Sequence, residues 1–159
     1  MTDRQSGFSL IELIISIVVL ALVGGAFAHV IGESIRSRVT VMERAVGVEL
    51  ARSLMEEILG QEFEDPEEDA GSFGTEEGGR ALFDDVDDYD GFSENPPKDA
   101  SGASVAGASG YTRSVVVSNV LEANPESLTA DGTTDLKRIE VTVVGNMETL
   151  RLVGLKADI

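Results

Sequence analysis

The sequence predicts an α+β chain in which one long N-terminal helix, membrane-spanning in its first half, packs through its second half on a small C-terminal antiparallel sheet. Three observations carry this reading. From Phe8 to Gly32, 18 of 25 residues are hydrophobic and Glu12 is the only formal charge. From Glu33 to Gly60 no proline interrupts a run of apolar residues spaced three or four apart. From Tyr111 onward, segments rich in Val, Ile, Leu and Thr show the partial alternation of half-buried strands. The chain has 159 residues, 42% of them hydrophobic and 5% aromatic, so it has material for one modest core, and part of that material is committed to the apolar segment.

Leu13 to Gly32 is a run of 20 residues without a formal charge. As a helix it covers roughly 30 Å, the thickness of a bilayer core. Met1 to Gly7 carry one Asp and one Arg, and Arg36 and Arg38 follow the run, so charge counting gives no orientation. Ala26-Phe27-Ala28 offers the small-x-small pattern of a secretory signal peptide, with cleavage releasing a soluble protein that starts at His29. Against this stand the length of the run, the thinly charged start and the acid in its first turns. A carboxylate at the membrane centre costs about 2.5 to 3.5 kcal/mol on insertion scales, less near the interface, so Glu12 requires a partner or a function. His29 is the only histidine and has no second nitrogen or thiolate to share a metal with, which makes it an interface residue. Gly24-Gly25, costing about 1 kcal/mol each against Ala in water, permit close helix approach or local unwinding in a membrane, or are simply tolerated there.

Gly7-Phe8-Ser9-Leu10-Ile11-Glu12 resembles the cleavage and methylation motif of type IV prepilins. The resemblance implies that a prepilin peptidase cuts on the cytoplasmic side between Gly7 and Phe8 and N-methylates Phe8, leaving the apolar helix on the product. It also implies a role for Glu12: in a filament of packed helices, its carboxylate pairs with the Phe8 amine of a neighbouring subunit. Each charge relieves the other's desolvation, and the pair sets the axial register. The alternative reading is that Glu12 merely snorkels to the interface.

Beyond the membrane, Ile35, Val39, Met42, Val46, Leu50, Leu54 and Ile58 form the apolar stripe, charged residues occupy the other faces, and Gly60 is the expected C-terminal cap. Counted from Phe8 the helix is roughly 80 Å long. The stripe's spacing is not a strict heptad, so the small domain, rather than a coiled-coil partner, is expected to cover its second half. This agrees with the pilin architecture, where a protruding half-helix forms the filament core.

The acidity is localised. Residues 62 to 99 hold 15 Asp and Glu against Arg80 and Lys98, which is -13 of the chain's net -17. With Gly71, Gly74, Gly78, Gly79, Pro66, Pro96 and Pro97, this composition predicts long solvated loops, and Ala100 to Gly110 reads as a flexible connection. Within it, Asp84, Asp85, Asp87, Asp88 and Asp90 cluster among Phe83, Val86 and Tyr89 and suggest a calcium cage. An EF-hand with Gly91 at its sixth position fails, because Val86 and Pro97 stand where two acids are needed. A non-EF-hand oxygen cage and a solvated loop with Phe83 and Tyr89 against the sheet are the two readings left; no other cofactor is expected.

Glu49 to Leu59, followed by Phe63 and the Asp84-Asp85-Val86-Asp87-Asp88-Tyr89 run, resembles the minor pilins of mannose-sensitive haemagglutinin (MSHA) type pili through about Asp90. Members of that family often carry loop cysteines and a His after the Tyr. This chain has Ser72 and Thr75, no cysteine at all, and Asp90 after Tyr89, which excludes a loop disulfide.

Tyr111 to Val120, Leu136 to Val144 and Thr149 to Leu155 are the predicted strands, with Ile139, Val141 and Val143 on one face and Arg138, Glu140 and Thr142 on the other. Gly145-Asn146 begins the turn of a final hairpin. The chain thus divides into a leader (1–7), a membrane and filament-core helix (8–32), an amphipathic half-helix (33–60), an acidic Gly-rich region (61–110) and a sheet (111–159).

No catalytic constellation is present, since there is no cysteine, no nucleophile elbow, no phosphate loop and no usable His base, so no enzyme is expected. Twelve dispersed Lys and Arg form no basic patch, which excludes a general nucleic-acid binder. The sequence therefore indicates a minor pilin of an MSHA-like type IV pilus. Such a subunit starts as a single-pass inner-membrane precursor with a cytoplasmic N-terminus, exposes its domain to the periplasm, and enters an extracellular filament. Its implied partners are prepilin peptidase, other major and minor pilins and the inner-membrane assembly platform. The alternatives are a minor pseudopilin of type II secretion and a secreted or membrane-tethered calcium-binding module.

Overall fold

The computed structural model describes residues 9–65, 73–74, 78–130, 132–146 and 148–158. One helix, α1 (Leu10–Leu59), is followed by the strands β1 (Ser93–Glu94), β2 (Thr112–Leu121), β3 (Asn124–Leu128), β4 (Leu136–Val144) and β5 (Thr149–Ala157). Contacts divide the chain into two units, Met1–Val41 and Met42–Ile159. In the first, every described residue is exposed, and α1 begins with the Leu13 N–H donating to the Ser9 carbonyl at 3.1 Å.

The second unit holds the core. The helix buries Gly47, Leu50, Ala51, Leu54, Met55 and Ile58. Leu50, Leu54 and Ile58 were expected there. The buried face is broader than that stripe and rotated from it, for Gly47, Ala51 and Met55 join it while Met42 stays 69% exposed. The reason is close approach. A Cβ on Gly47 would stand 2.6 Å from the Leu150 side chain, so the small residue lets β5 settle on the helix. After Leu59 the Gly60 N–H donates to the Glu56 and Glu57 carbonyls at 3.2 and 3.1 Å, closing the last turn.

The sheet runs β1-β2-β4-β5, all antiparallel, with β3 beside the end of β2. Val115 and Val117 on β2 and Ile139, Val141 and Val143 on β4 alternate into the core, while Arg138, Glu140 and Thr142 take the other face. The β4–β5 hairpin has the expected turn, with the Gly145 N–H donating to the Glu148 carbonyl at 2.9 Å. Beside it the Tyr111 hydroxyl donates to the Glu43 carbonyl at 3.1 Å, and a Cβ on Gly145 would meet the Tyr111 ring at 2.8 Å. The ring is rigid and anchored, so Gly145→Ala should cost about 1 to 2 kcal/mol in urea unfolding; an unchanged midpoint would show that the ring swings away freely.

β3 is not among the three strands expected; it is a short strand beside the end of β2 that carries Pro125, whose missing N–H is tolerated at an edge. A larger correction concerns the acidic stretch. Residues 83 to 92 are not a solvated loop: Phe83, Val86 and Tyr89 are buried in the core, and Asp85, Asp87 and Asp88 are buried with them. Phe83, Tyr89 and Phe92 meet edge to face with centroids 4.9 to 6.1 Å apart. Three hydrophobic anchors three residues apart outweigh the acids between them because the buried Asp85, Asp87 and Asp88 have partners. From Ala100 to Gly110 the chain is built of turns, with Ala108 buried and its N–H donating to the Val105 carbonyl.

Candidate functional site

Gly7 and Phe8 lie outside the described residues, as does most of the acidic sequence from Pro66 to Glu77. Glu12 stands in the first turn of α1, where the unpaired N–H groups of the helix favour a negative charge. Its side chain is exposed and makes no ion pair or hydrogen bond with another described residue; its carbonyl accepts from the Ser16 hydroxyl at 2.7 Å. Around and beyond it the helix presents Leu10, Ile11, Leu13, Ile14, Ile15, Ile17, Val18 and further apolar residues to the exterior, as far as Ile35. By length and composition this is a helix able to cross a membrane, and no other described helix is. Gly24, Gly25 and Gly32 have open space where a side chain would project, so a helix packing there can come close. An apolar surface of this extent on a water-facing protein would be a severe aggregation hazard, whereas in a bilayer or a helix bundle it is the driving contact.

Four of the five aspartates singled out for calcium are engaged by protein groups, two of them by each other's backbone. Asp87 pairs with Lys137, which also donates to the Phe63 carbonyl and lies over the Phe63 ring. Asp85 Oδ1 accepts the Asp88 N–H at 3.0 Å, and Asp88 Oδ2 accepts the Asp84 and Asp85 N–H groups at 3.1 and 3.4 Å. Asp90 Oδ1 accepts the Val117 N–H at 2.9 Å. Asp84 Oδ1 is buried with no partner among the described residues. Among the described residues no three acidic or histidine side chains converge as a cation site. Burial pushes the Asp85 carboxyl up to about 6, helped by the charges of Asp87 and Asp88 and opposed by the Asp88 N–H and by Lys137.

Two buried ionic groups escaped the sequence reading. Arg113 is 1% exposed and donates to Glu94, to the Lys98 carbonyl and to the Leu50 carbonyl of α1 at 3.2 Å. Arg80 forks onto Glu57 at 2.7 and 2.6 Å, reaches Glu94 at 3.3 Å and covers the Phe92 ring. The Tyr89 hydroxyl donates to Glu57 at 2.9 Å. Burial works against the Glu57 carboxylate, but Arg80 and Tyr89 outweigh it and hold its pKa below the usual range. Burial, together with Glu57, pushes the Tyr89 hydroxyl up to about 12. The signal was alternation: Arg113 shares a strand face with Val115 and Val117, and Lys137 with Ile139 and Val141, so each cation points inward and needs an anion.

This ionic belt ties the acidic stretch to the helix and sheet. Residues 2–28 match the family model of the prokaryotic N-terminal methylation motif. No curated protein and no solved structure matches the chain. The match makes the N-terminus type IV prepilin-like, a class that is structural rather than enzymatic, and with the apolar helix it supports anchoring in the inner membrane.

Proposed function

We propose that this chain is a minor pilin of an MSHA-like type IV pilus, made as a precursor in the inner membrane, processed between Gly7 and Phe8 and built into a filament through α1. The observation that carries the proposal is the methylation motif at residues 2–28 leading directly into an exposed apolar helix whose first turn holds Glu12. Removal of residues 1 to 7 by prepilin peptidase creates a charged amine at Phe8, four residues before Glu12. In a low-dielectric helix bundle a lone carboxylate is expensive, and an amine from the adjacent chain neutralises it at a fixed axial offset. Other pilins and the assembly platform are the partners this route requires. The MSHA-like assignment rests on the Glu49 to Leu59 sequence with Phe63 and the acidic run ending at Tyr89. A minor pseudopilin of type II secretion uses the same N-terminal chemistry, and the neighbouring genes, pilus or secretion components, decide between the two.

Mass spectrometry of the mature protein should find N-methylated Phe8 as the first residue. An intact Met1, or a chain starting at His29, would overturn the proposal. Glu12→Ala should leave that processing intact and lower recovery of the protein in sheared filaments about tenfold or more, the scale of one unneutralised charge. Normal recovery would remove the Phe8 to Glu12 pairing.

A further inference from the structure

The apolar stripe of α1 changes its spacing at Val46, and the core covers only one side of that change. Beyond Val46 the steps are of four, through Leu50, Leu54 and Ile58, and those three are at most 2% exposed. Before it, steps of three and four alternate without a break back to Ile11, and every position so reached is Ile, Val, Met, Ala or Gly. That is a 3.5-residue repeat over five heptads, the period of a helix paired with another helix. Ile35, Val39 and Met42, the last three before Val46, are 58, 43 and 69% exposed. With Leu13 to Gly32 across a bilayer core, Met42 stands about 15 Å beyond it, past the headgroups, so lipid does not cover it. Within the bilayer Ala21, Gly25, Ala28 and Gly32 take four successive positions of the repeat, and Gly25 and Gly32 have open space where a side chain would project.

We propose that this seam joins two copies of the chain as parallel, in-register helices in the membrane. The inference rests on membrane anchoring alone and holds for a pilus or a secretion subunit. Two copies inserted in one membrane with the same orientation run parallel, with their apolar runs level. Charge then selects the partner and the register. In a parallel pair the residues flanking the seam meet those five further along the other helix, which sets Arg38 of each copy against Glu43 of the other. Both side chains await such a contact. Neither forms an ion pair with a described residue, and Glu43 Oε2 has no hydrogen-bond partner among them, whereas the adjacent charges are taken, Arg36 by Glu33 and Arg44 by Glu148. A slip of one heptad puts Arg38 against Arg36 or against Leu50, a like charge or a residue already buried in the core, so the level register is the favoured one. Glu12 lies off the seam, and its contact with Phe8 needs an offset of four residues, so the level pair belongs to the membrane-held chain and is separate from the filament contact.

Disulfide trapping on the full chain in inner-membrane vesicles tests this, and the chain has no cysteine of its own to interfere. Val39→Cys and Met42→Cys should give covalent dimers at least about tenfold faster than Ser37→Cys and Thr40→Cys, which are exposed on the same turns but lie off the seam. Adding Arg38→Glu to Met42→Cys sets like charges together and should slow trapping several-fold; adding Glu43→Lys as well reverses both pairs and should restore it. Equal trapping at all four positions, or seam cysteines that stay monomeric or link only to other proteins, overturns the pairing while a chain retained in the membrane keeps the anchoring reading. Trapping that ignores both charge changes overturns the level register. A chain released from the vesicles by an alkaline wash overturns anchoring and pairing together.

Discussion

Glu94→Ala is expected to lower the stability of the Met42–Ile159 unit by about 3 to 5 kcal/mol, the cost of stranding a buried cation. The cation is Arg113, which alternation places inward on β2 and which no water-facing route relieves at 1% exposure. In the intact protein Glu94 neutralises it, accepts from Arg80 as well, and receives the Lys98 N–H at 3.1 Å. Truncation leaves Arg113 only the uncharged acceptors of Leu50, Ser53 and Lys98. Arg80 is less affected because Glu57 holds it on the other side. Tyrosine fluorescence is the natural probe, since Tyr89 and Tyr111 are both buried and there is no tryptophan. Urea unfolding of the full chain in micelles should show the loss. Glu94→Gln, which keeps the acceptor oxygen, should lose less. Replacing Glu94 and Arg113 together by Leu and Met should recover most of it, since a well-packed apolar pair needs no counter-charge. A loss below about 1 kcal/mol for Glu94→Ala would mean that Arg113 reaches water.

That belt also shows where sequence reasoning stopped. The helix, the three long strands and the hairpin turn were legible because each depends on local periodicity and turn chemistry, which a chain carries on its face. The methylation motif was legible because six consecutive residues carry it. The fate of the acidic stretch was not. Its composition alone reads as solvated, and what reverses that reading is the location of two cations, Arg113 and Lys137, that arrive from strands 19 and 50 residues away. Composition averages over such distances, whereas strand alternation points to them. The rotated helix face escaped for a related reason: Gly47 and Ala51 carry little hydrophobic signal, and only the approach of Leu150 makes their smallness matter.

Asp85→Asn is expected to stabilise the protein at pH 8, and the sign follows from the site. Asp85 is 5% exposed and paired through its backbone with Glu62, and it faces Asp87, Asp88 and Lys137. Lys137 is already committed to Asp87, so Asp85 has no cation of its own. Burial, reinforced by the two neighbouring carboxylates, raises its pKa from 3.8 to about 6. A group whose folded pKa exceeds its unfolded one destabilises the fold where it is ionised. The penalty is small below about pH 4, grows between about pH 4 and 6, where the unfolded chain is ionised and the folded one is not, and is complete above about 7, where a shift of this size corresponds to about 2 to 3 kcal/mol. Asparagine keeps the Oδ1 that accepts the Asp88 N–H and discards the charge. The variant should therefore exceed the wild type by about 2 kcal/mol at pH 8, by nearly as much near pH 6, by about half that near pH 5, and by little at pH 4. Glu57 titrates in the opposite sense: its lowered pKa gives stability that is present above the normal carboxylate range and lost as the solution becomes more acidic than that, so the two windows meet only near pH 4. Urea midpoints at pH 8, 6 and 4, read from tyrosine fluorescence, separate them. Equal midpoints at pH 8 would show that the Asp85 carboxylate is solvated. A variant weaker at every pH would show that its charge is needed to hold Lys137, and that the cluster works as one ionic unit.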